Sequence, residues 1–134
     1  MEQFRVGVIG LGGRGFGHVH GILTERDDVI VTAVCDVYED RIANAQKVCK
    51  DKKGWDVAGT TNYRELIERD DVDVVFVFSA WENHFPAAIY AMNCGKQVAM
   101  EVGGAYSVDQ CWELVKTYEE TKTPIMMLEN CCYG

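Results

Sequence analysis

Six short apolar runs, each separated from the next by a stretch of helical pattern, constrain this chain more than any other feature. Phe4–Ile9, Ile30–Cys35, Val57–Thr60, Val72–Phe78, Gln97–Glu101 and Pro124–Leu128 read as strands. Continuous apolar runs, in place of strict alternation, suit parallel strands covered on both faces. Helical patterns fill the gaps at Gly15–Arg26, Tyr38–Lys50, Tyr63–Arg69, Asn83–Asn93 and Ser107–Thr121. The second of these carries Ile42, Ala45 and Cys49 on one stripe, and the fourth carries Phe85, Ala88, Ile89 and Met92. The last carries Cys111, Leu114, Val115 and Tyr118, a stripe expected to face the core. Ser107 and Gln110 have capping-box spacing, and Gly95 is placed as a helix stop. Strands alternating with helices predict an α/β fold. The expected architecture is a doubly wound parallel sheet in three α/β/α layers, six strands in the order 3-2-1-4-5-6.

The chain of 134 residues has the length of one domain, and no linker or internal repeat divides it. Its net charge of −8 argues against a broad nucleic-acid surface, which requires a basic stripe, and against an anionic membrane surface. No apolar run approaches the roughly 20 residues of a membrane span. The opening MEQFRV, with an early acid before a short glycine-broken apolar stretch, does not read as a secretory leader. Six cysteines stand at positions 35, 49, 94, 111, 131 and 132, none in a CxxC pair or with zinc-site spacing. No metal site is expected. Cys35, Cys94 and Cys111 read as buried, reduced thiols of a cytoplasmic protein. The adjacent Cys131 and Cys132 leave a vicinal disulfide or a metal as alternatives.

The first strand stops at VGVIGLGGRGFGHVH, residues 6–20. Gly10, Gly12 and Gly15 fit G-x-G-x-x-G, a motif that is weak alone and informative between a strand and a helix. Gly10 permits the tight turn, Gly12 lets the backbone approach a pyrophosphate, and Gly15 lets helix and strand pack closely. Gly13 and Arg14 share the loop. The helix N-terminus then offers N–H groups and positive dipole to an anion. The second strand ends at Asp36, about 20 residues beyond the loop, where a carboxylate accepts from ribose hydroxyls. A carboxylate there repels a 2′-phosphate, which favours NAD over NADP. Arg41, close by, softens that preference. His18 and His20 read as surface or packing residues of the first helix.

A doubly wound sheet binds ligands beyond the carboxyl ends of its strands, and polar or aromatic residues stand at nearly every such end here. The fourth strand leads into Ser79, Trp81, Glu82, Asn83 and His84, the fifth ends at Glu101, and the sixth runs into Glu129 and Asn130. Ser79 and Asn83 either contact the cofactor or cap the following helix. Trp81 is either a wall against the nicotinamide and its ribose or a packing residue. His84 either touches the cofactor or plugs the loop. Glu101 and His84 are the candidates for a part in the chemistry.

Taken together, IGLGGRGFGHVH, CDVYEDRI, WENH followed by AMNCGKQVAMEV, and MMLENCCYG resemble the N-terminal half of the glucose–fructose oxidoreductase / inositol dehydrogenase / MocA family, along essentially the whole chain. The resemblance implies an NAD-binding Rossmann domain, residues 1–134, of an enzyme that transfers hydride to or from a sugar or polyol. It also implies a C-terminal α/β domain that meets the substrate and often builds a homo-oligomer. That domain has no counterpart here, so the chain is expected to be a truncated form or a fragment, inactive alone. One position departs from the family: its usual Glu-Lys-Pro reads Glu101-Val102-Gly103, and valine does no proton chemistry. The NAD-dependent α-N-acetylgalactosaminidases, a branch that departs there too, resemble this chain in W-x-x-H, the Glu-Val pair and M-x-x-E-N. In that branch NAD stays bound while the sugar is oxidised, loses its glycosidic group, takes up water and is re-reduced. Carried over by position, Arg14, Asp36, Trp81 to His84, Glu101, Val102 and Asn130 would contact NAD. Sugar oxidoreductase is the leading expectation. A glycosidase of this kind and a non-enzymatic dinucleotide sensor are the alternatives.

Overall fold

The computed structural model describes residues 3–78, 81–101 and 107–128, with backbone alone at 14, 18, 81–84, 127 and 128. Strand β1 (Phe4–Ile9) leads through the glycine loop into helix α1 (Gly13–Gly21) and a 3₁₀ turn at Leu23–Glu25. Next come β2 (Val29–Cys35), α2 (Glu39–Lys53), β3 (Ala58–Thr60) and the short α3 (Tyr63–Ile67). The second half is β4 (Val74–Val77), α4 (Trp81–Asn93), β5 (Gln97–Glu101), α5 (Val108–Thr121) and β6 (Ile125–Leu128). All strands run parallel in one sheet of order β3-β2-β1-β4-β5-β6, the expected topology. Chain order reverses between β1 and β4, and the carboxyl ends of those two central strands form the crevice where such sheets hold ligands.

The core lies in two layers, one on each face of the sheet. Val6, Val8, Val31 and Val34 pack under Leu11 from the glycine loop, Val19 from α1 and Ile42, Ala45 and Cys49 from α2. On the other face, Val75, Val77, Val98 and Met100 meet Leu66 and Ile67 of α3 and Ala87, Ala88, Ala91 and Met92 of α4. Gly7 serves this second layer, since a Cβ there would stand 2.6 Å from Leu66 Cδ2. Local chemistry bounds the helices. Glu39 and Asp40 occupy the first turn of α2 and three lysines the last, both favourable to the helix dipole. The side chain of Asn62 accepts from Arg64 N–H to cap α3, and Ser107 accepts from Gln110 N–H to cap α5. Gly95 ends α4 with φ +77°.

The helix boundaries shift from the sequence reading. Helix α1 opens at Gly13 instead of Gly15, and α4 opens at Trp81 instead of Asn83. Asn83 therefore lies inside the first turn of α4 and is not its N-cap. In α4, Ala88 and Met92 are buried as expected, but Ala87 and Ala91 complete the stripe while Phe85 and Ile89 are only half-buried.

The largest correction concerns α5. Its expected stripe has the right period and the opposite orientation. Cys111, Val115 and Tyr118 are exposed, Leu114 is half-buried, and Thr117 is the residue fully buried. Leu114 packs against the core cluster that includes Ala87, Ala88, Ala91 and Met92 of α4. The Thr117 hydroxyl is satisfied within its own helix, donating to the Glu113 carbonyl at 2.8 Å. Cys94, in the turn after α4, is also exposed, so among the described cysteines Cys35 and Cys49 are the buried ones. Burial pushes Cys35 up to about 12, helped by the neighbouring charges of Asp36 and Glu65, and Cys49 to about 11. Both are inert packing groups and not nucleophiles. The four described cysteines are free, and the described residues contain no cluster of metal-ligating side chains. Cys131 and Cys132 lie outside the described residues.

Candidate dinucleotide-binding site

Two of the glycines are dictated by the backbone. Gly10 has φ +94°, a left-handed conformation that side chains rarely adopt. Its N–H donates to the Cys35 carbonyl at 2.8 Å, extending the β1–β2 ladder by one residue before the chain turns. A Cβ at Gly15 would run into the Gly10 carbonyl, with Phe78 Cβ also within 3.2 Å. Gly15 is therefore the close-packing glycine of the motif. Gly12 is different. Among the described residues, a Cβ there would meet only Arg41 Nη1, at 3.6 Å. Space above Gly12 is left free by the fold, and a ligand backbone of phosphates requires such an opening. Gly13 begins α1, which has no acidic residue in its first turn, so the outward N–H groups of that turn face no competing carboxylate of their own helix.

Asp36 follows the last residue of β2, beside this loop. Its side chain is only 5% exposed. One carboxylate oxygen accepts the Leu11 N–H at 2.7 Å, and the other accepts the Tyr38 N–H at 2.9 Å. The carboxylate thus ties the glycine loop to the start of α2. Each oxygen keeps a second lone pair, so the group can still accept from a ribose hydroxyl. Arg41 Nη1 stands 3.8 Å from the same Asp36 oxygen that holds Leu11, and the guanidinium lies over the Tyr38 ring at 4.7 Å. Asp36, Tyr38 and Arg41 form one rim around the opening at Gly12. The sequence reading placed Asp36 and Arg41 here but missed the bond to Leu11 and the stacking on Tyr38. The spacing D-x-Y-x-x-R, which puts Tyr38 at the N-cap and Arg41 in the first turn of α2, is the signal that could have found the stack.

The remaining candidates reach the same edge to different degrees. Trp81, Glu82, Asn83 and His84 form the backbone of the first turn of α4, directly after β4. Glu101 ends β5 opposite Leu128 of β6 and is half-buried. It is two strands away from β1. The side chains of Arg14, His18, Trp81, Asn83 and His84 are not among those described. Ser79, Val102, Gly103, Glu129 and Asn130 lie outside the described residues. His20 is exposed, and its ring sits 5.9 Å from that of Phe16, which agrees with a surface role.

A parallel sheet of this order, with a G-x-G-x-x-G turn leaving its first strand and a carboxylate after its second, defines a dinucleotide-binding Rossmann domain. The residues present fit that ligand: the opening over Gly12, the unopposed N-terminus of α1 and the acceptor at Asp36. Sequence comparison specifies the family. Residues 4–129 match the oxidoreductase family with an NAD-binding Rossmann fold, Gfo/Idh/MocA, and the chain belongs to that family. An α-N-acetylgalactosaminidase of Bacteroides fragilis is 40% identical across 99% of this chain, which covers 32% of that protein. Among solved structures, a probable dehydrogenase from Thermotoga maritima is 30% identical with a TM-score of 0.79, matching 93% of this chain and 36% of its own. The myo-inositol 2-dehydrogenase of Lactobacillus plantarum shares the fold, with a TM-score of 0.82 at 24% identity over 94% of this chain and 36% of its own. The chain spans about a third of the length of these relatives.

Proposed function

We propose that this chain is the cofactor domain of an NAD-dependent glycosidase acting on an N-acetylated amino sugar. The observation that carries the reading is the 40% identity to an α-N-acetylgalactosaminidase along almost the whole chain. Val102, where the family's usual lysine would stand, supports it, because a net alcohol dehydrogenase uses a proton-transferring group beside the substrate oxygen. A sugar or polyol oxidoreductase is the second reading, favoured by the 30% identical dehydrogenase of Thermotoga maritima.

Bound NAD supplies a reversible hydride acceptor, so a sugar can be oxidised, lose its glycosidic group, take up water and be re-reduced with no net change in the cofactor. The chain's own residues bind and orient. The turn at Gly10–Gly15 and the first N–H groups of α1 receive the pyrophosphate. Asp36 accepts from the adenosine ribose and holds the loop at Leu11. Its buried charge disfavours a 2′-phosphate, which selects NAD over NADP. The first turn of α4, with Trp81, Asn83 and His84, is assigned to the nicotinamide half, and Ser79 is assigned to it from its position in the sequence. Glu101 ends β5 at the same carboxyl edge; from the sequence pattern, Val102 and Asn130 are assigned as further NAD contacts, and His84 and Glu101 as the candidates for a part in the chemistry. Residues that choose the sugar lie in the two-thirds of the relatives' length that this chain does not span.

The test is an aryl α-N-acetylgalactosaminide assay on a protein of the relatives' length that carries this chain. The glycosidase reading expects release of the aglycone with no accumulation of NADH. Steady NADH formation from free sugars, with no aglycone released, would establish the second reading instead.

A further inference from the structure

Strands β1 and β2 pair in two registers. Val6 lies opposite Val31, but Gly7 lies opposite Ala33, so Thr32 is left as the extra residue on β2. One extra residue in a strand is a β-bulge, rare between parallel strands, and it turns the side chains beyond it to the other face. The core records that change of face. Before the shift, Val29 and Val31 pack in the layer under α1 and α2. In an unbroken strand Ala33 and Cys35 would join them. Instead both lie in the layer of α3 and α4, and Val34 takes the α1 and α2 side. Asp36, the residue after Cys35, follows Val34 onto that side, where its carboxylate accepts the Leu11 and Tyr38 N–H groups. With Thr32 paired in an ordinary ladder, the alternation would turn Asp36 towards α3 and away from the glycine loop.

The Thr32 side chain fastens the bulge. The strand VIVTAVC carries a single hydroxyl, which donates to the Asp71 carbonyl at 2.7 Å and also stands 3.4 Å from the Val6 carbonyl, at the shift itself. Asp71 is a firm anchor, because Lys96 Nζ donates to the nearby carbonyls of Arg69 at 2.8 Å and Val72 at 2.6 Å. We infer that Thr32 is a positioning residue for the dinucleotide site: its hydroxyl holds the bulge that aims the Asp36 carboxylate at the glycine loop and at the ribose. Thr32 acts through Asp36, and the inference rests on the reading of Asp36 as the ribose acceptor.

Two substitutions test it in the 134-residue chain. Thr32→Val removes the hydroxyl and keeps the shape, whereas Thr32→Ser keeps the hydroxyl. Amide hydrogen exchange without ligand reads the Leu11 N–H directly, and paired titrations read the preference for NAD over NADP. In Thr32→Val, Leu11 should exchange severalfold faster relative to the core amide of Val8, and the preference for NAD should fall severalfold. Thr32→Ser should keep both near the parent values. A merely structural loss would speed Leu11 and Val8 together and leave the NAD-to-NADP ratio of the folded chain unchanged. Parent-like relative exchange at Leu11 in Thr32→Val would overturn the inference. So would a loss of preference in Thr32→Ser, which would place the effect in the methyl group. In an Asp36→Ala background, Thr32→Val should alter the ratio no further, and an added loss would show a route other than Asp36. No NAD binding by the parent would refute the cofactor reading, while Leu11 exchange, which needs no ligand, would still decide whether Thr32 aims Asp36.

Discussion

The Asp36 carboxylate accepts the backbone N–H of Leu11 at 2.7 Å, joining the end of the second strand to the middle of the glycine loop. The sequence spacing identifies Asp36 as a ligand group. The structure gives it a second duty, because the loop proposed to receive the pyrophosphate is held by the residue proposed to receive the ribose. Replacing Asp36 by alanine removes both of its bonds to main-chain N–H groups. Hydrogen bonds to charged acceptors are worth about 1.5–3 kcal/mol each, so Asp36→Ala should lower stability by about 2–4 kcal/mol as well as weaken NAD. It should also narrow the gap between NAD and NADP. Denaturant melts and paired titrations check this. An unchanged midpoint would deny the structural bond, and retained NAD selectivity would deny the ribose role.

Two glycines of one motif should respond in opposite ways. Gly12→Ala enters open space, so stability should stay within about 0.5 kcal/mol of the parent while NAD binding falls. Gly15→Ala drives a methyl group into the Gly10 carbonyl and should cost about 1–3 kcal/mol or more, with binding lost through the fold. Thermal melts of both variants, set beside their NAD titrations, separate the two causes.

Acid should loosen the amino-terminal edge of the sheet first. Asp73 is held below the usual carboxylate range chiefly by its hydrogen bond with the Arg5 guanidinium, Asp71 by its bond with Arg69, and Asp28 by its bond with Arg26. A depressed carboxylate pKa stabilises the fold above the unfolded value of about 3.9 and ceases to do so as pH falls through the folded value. These pairs are solvent-exposed, so each effect is small. Melting temperature should be nearly level between about pH 7 and 5 and decline below about pH 4. Arg5→Ala should shrink that decline. A decline that Arg5→Ala leaves unchanged would place the acid sensitivity elsewhere.

Thiol reactivity should divide the cysteines. Cys94 and Cys111 are exposed, whereas Cys35 and Cys49 are buried with raised pKa values. Peptide mapping after labelling of the folded chain should find the first pair modified promptly and the second only in denaturant. Prompt labelling of Cys35 would mean that the β2 core opens more readily than its packing indicates.

Much of this fold was legible in the sequence because its signals are local. Valine runs announced β1, β2 and β4, and Gly10, Gly15 and Asp36 stand where the turn, the close packing and the strand end require them. What could not be read depends on tertiary choice. The apolar period of α5 is plain, but nothing in Cys111, Leu114, Val115 and Tyr118 says which side faces the sheet. The structure buries Thr117, whose hydroxyl is satisfied on its own helix by the Glu113 carbonyl. The Asp36–Leu11 bond was hidden for a related reason: a backbone donor 25 positions away leaves no mark on composition or period.

The central claim, that the loop at Gly10–Gly15 together with Asp36 forms an NAD site, is met most directly by calorimetric titration of the 134-residue chain with NAD and, separately, with NADP. The account predicts saturable heat at one site per chain with NAD and weaker or undetectable heat with NADP. A cooperatively melting chain that gives no saturable heat with NAD, or that binds NADP more tightly, would contradict it.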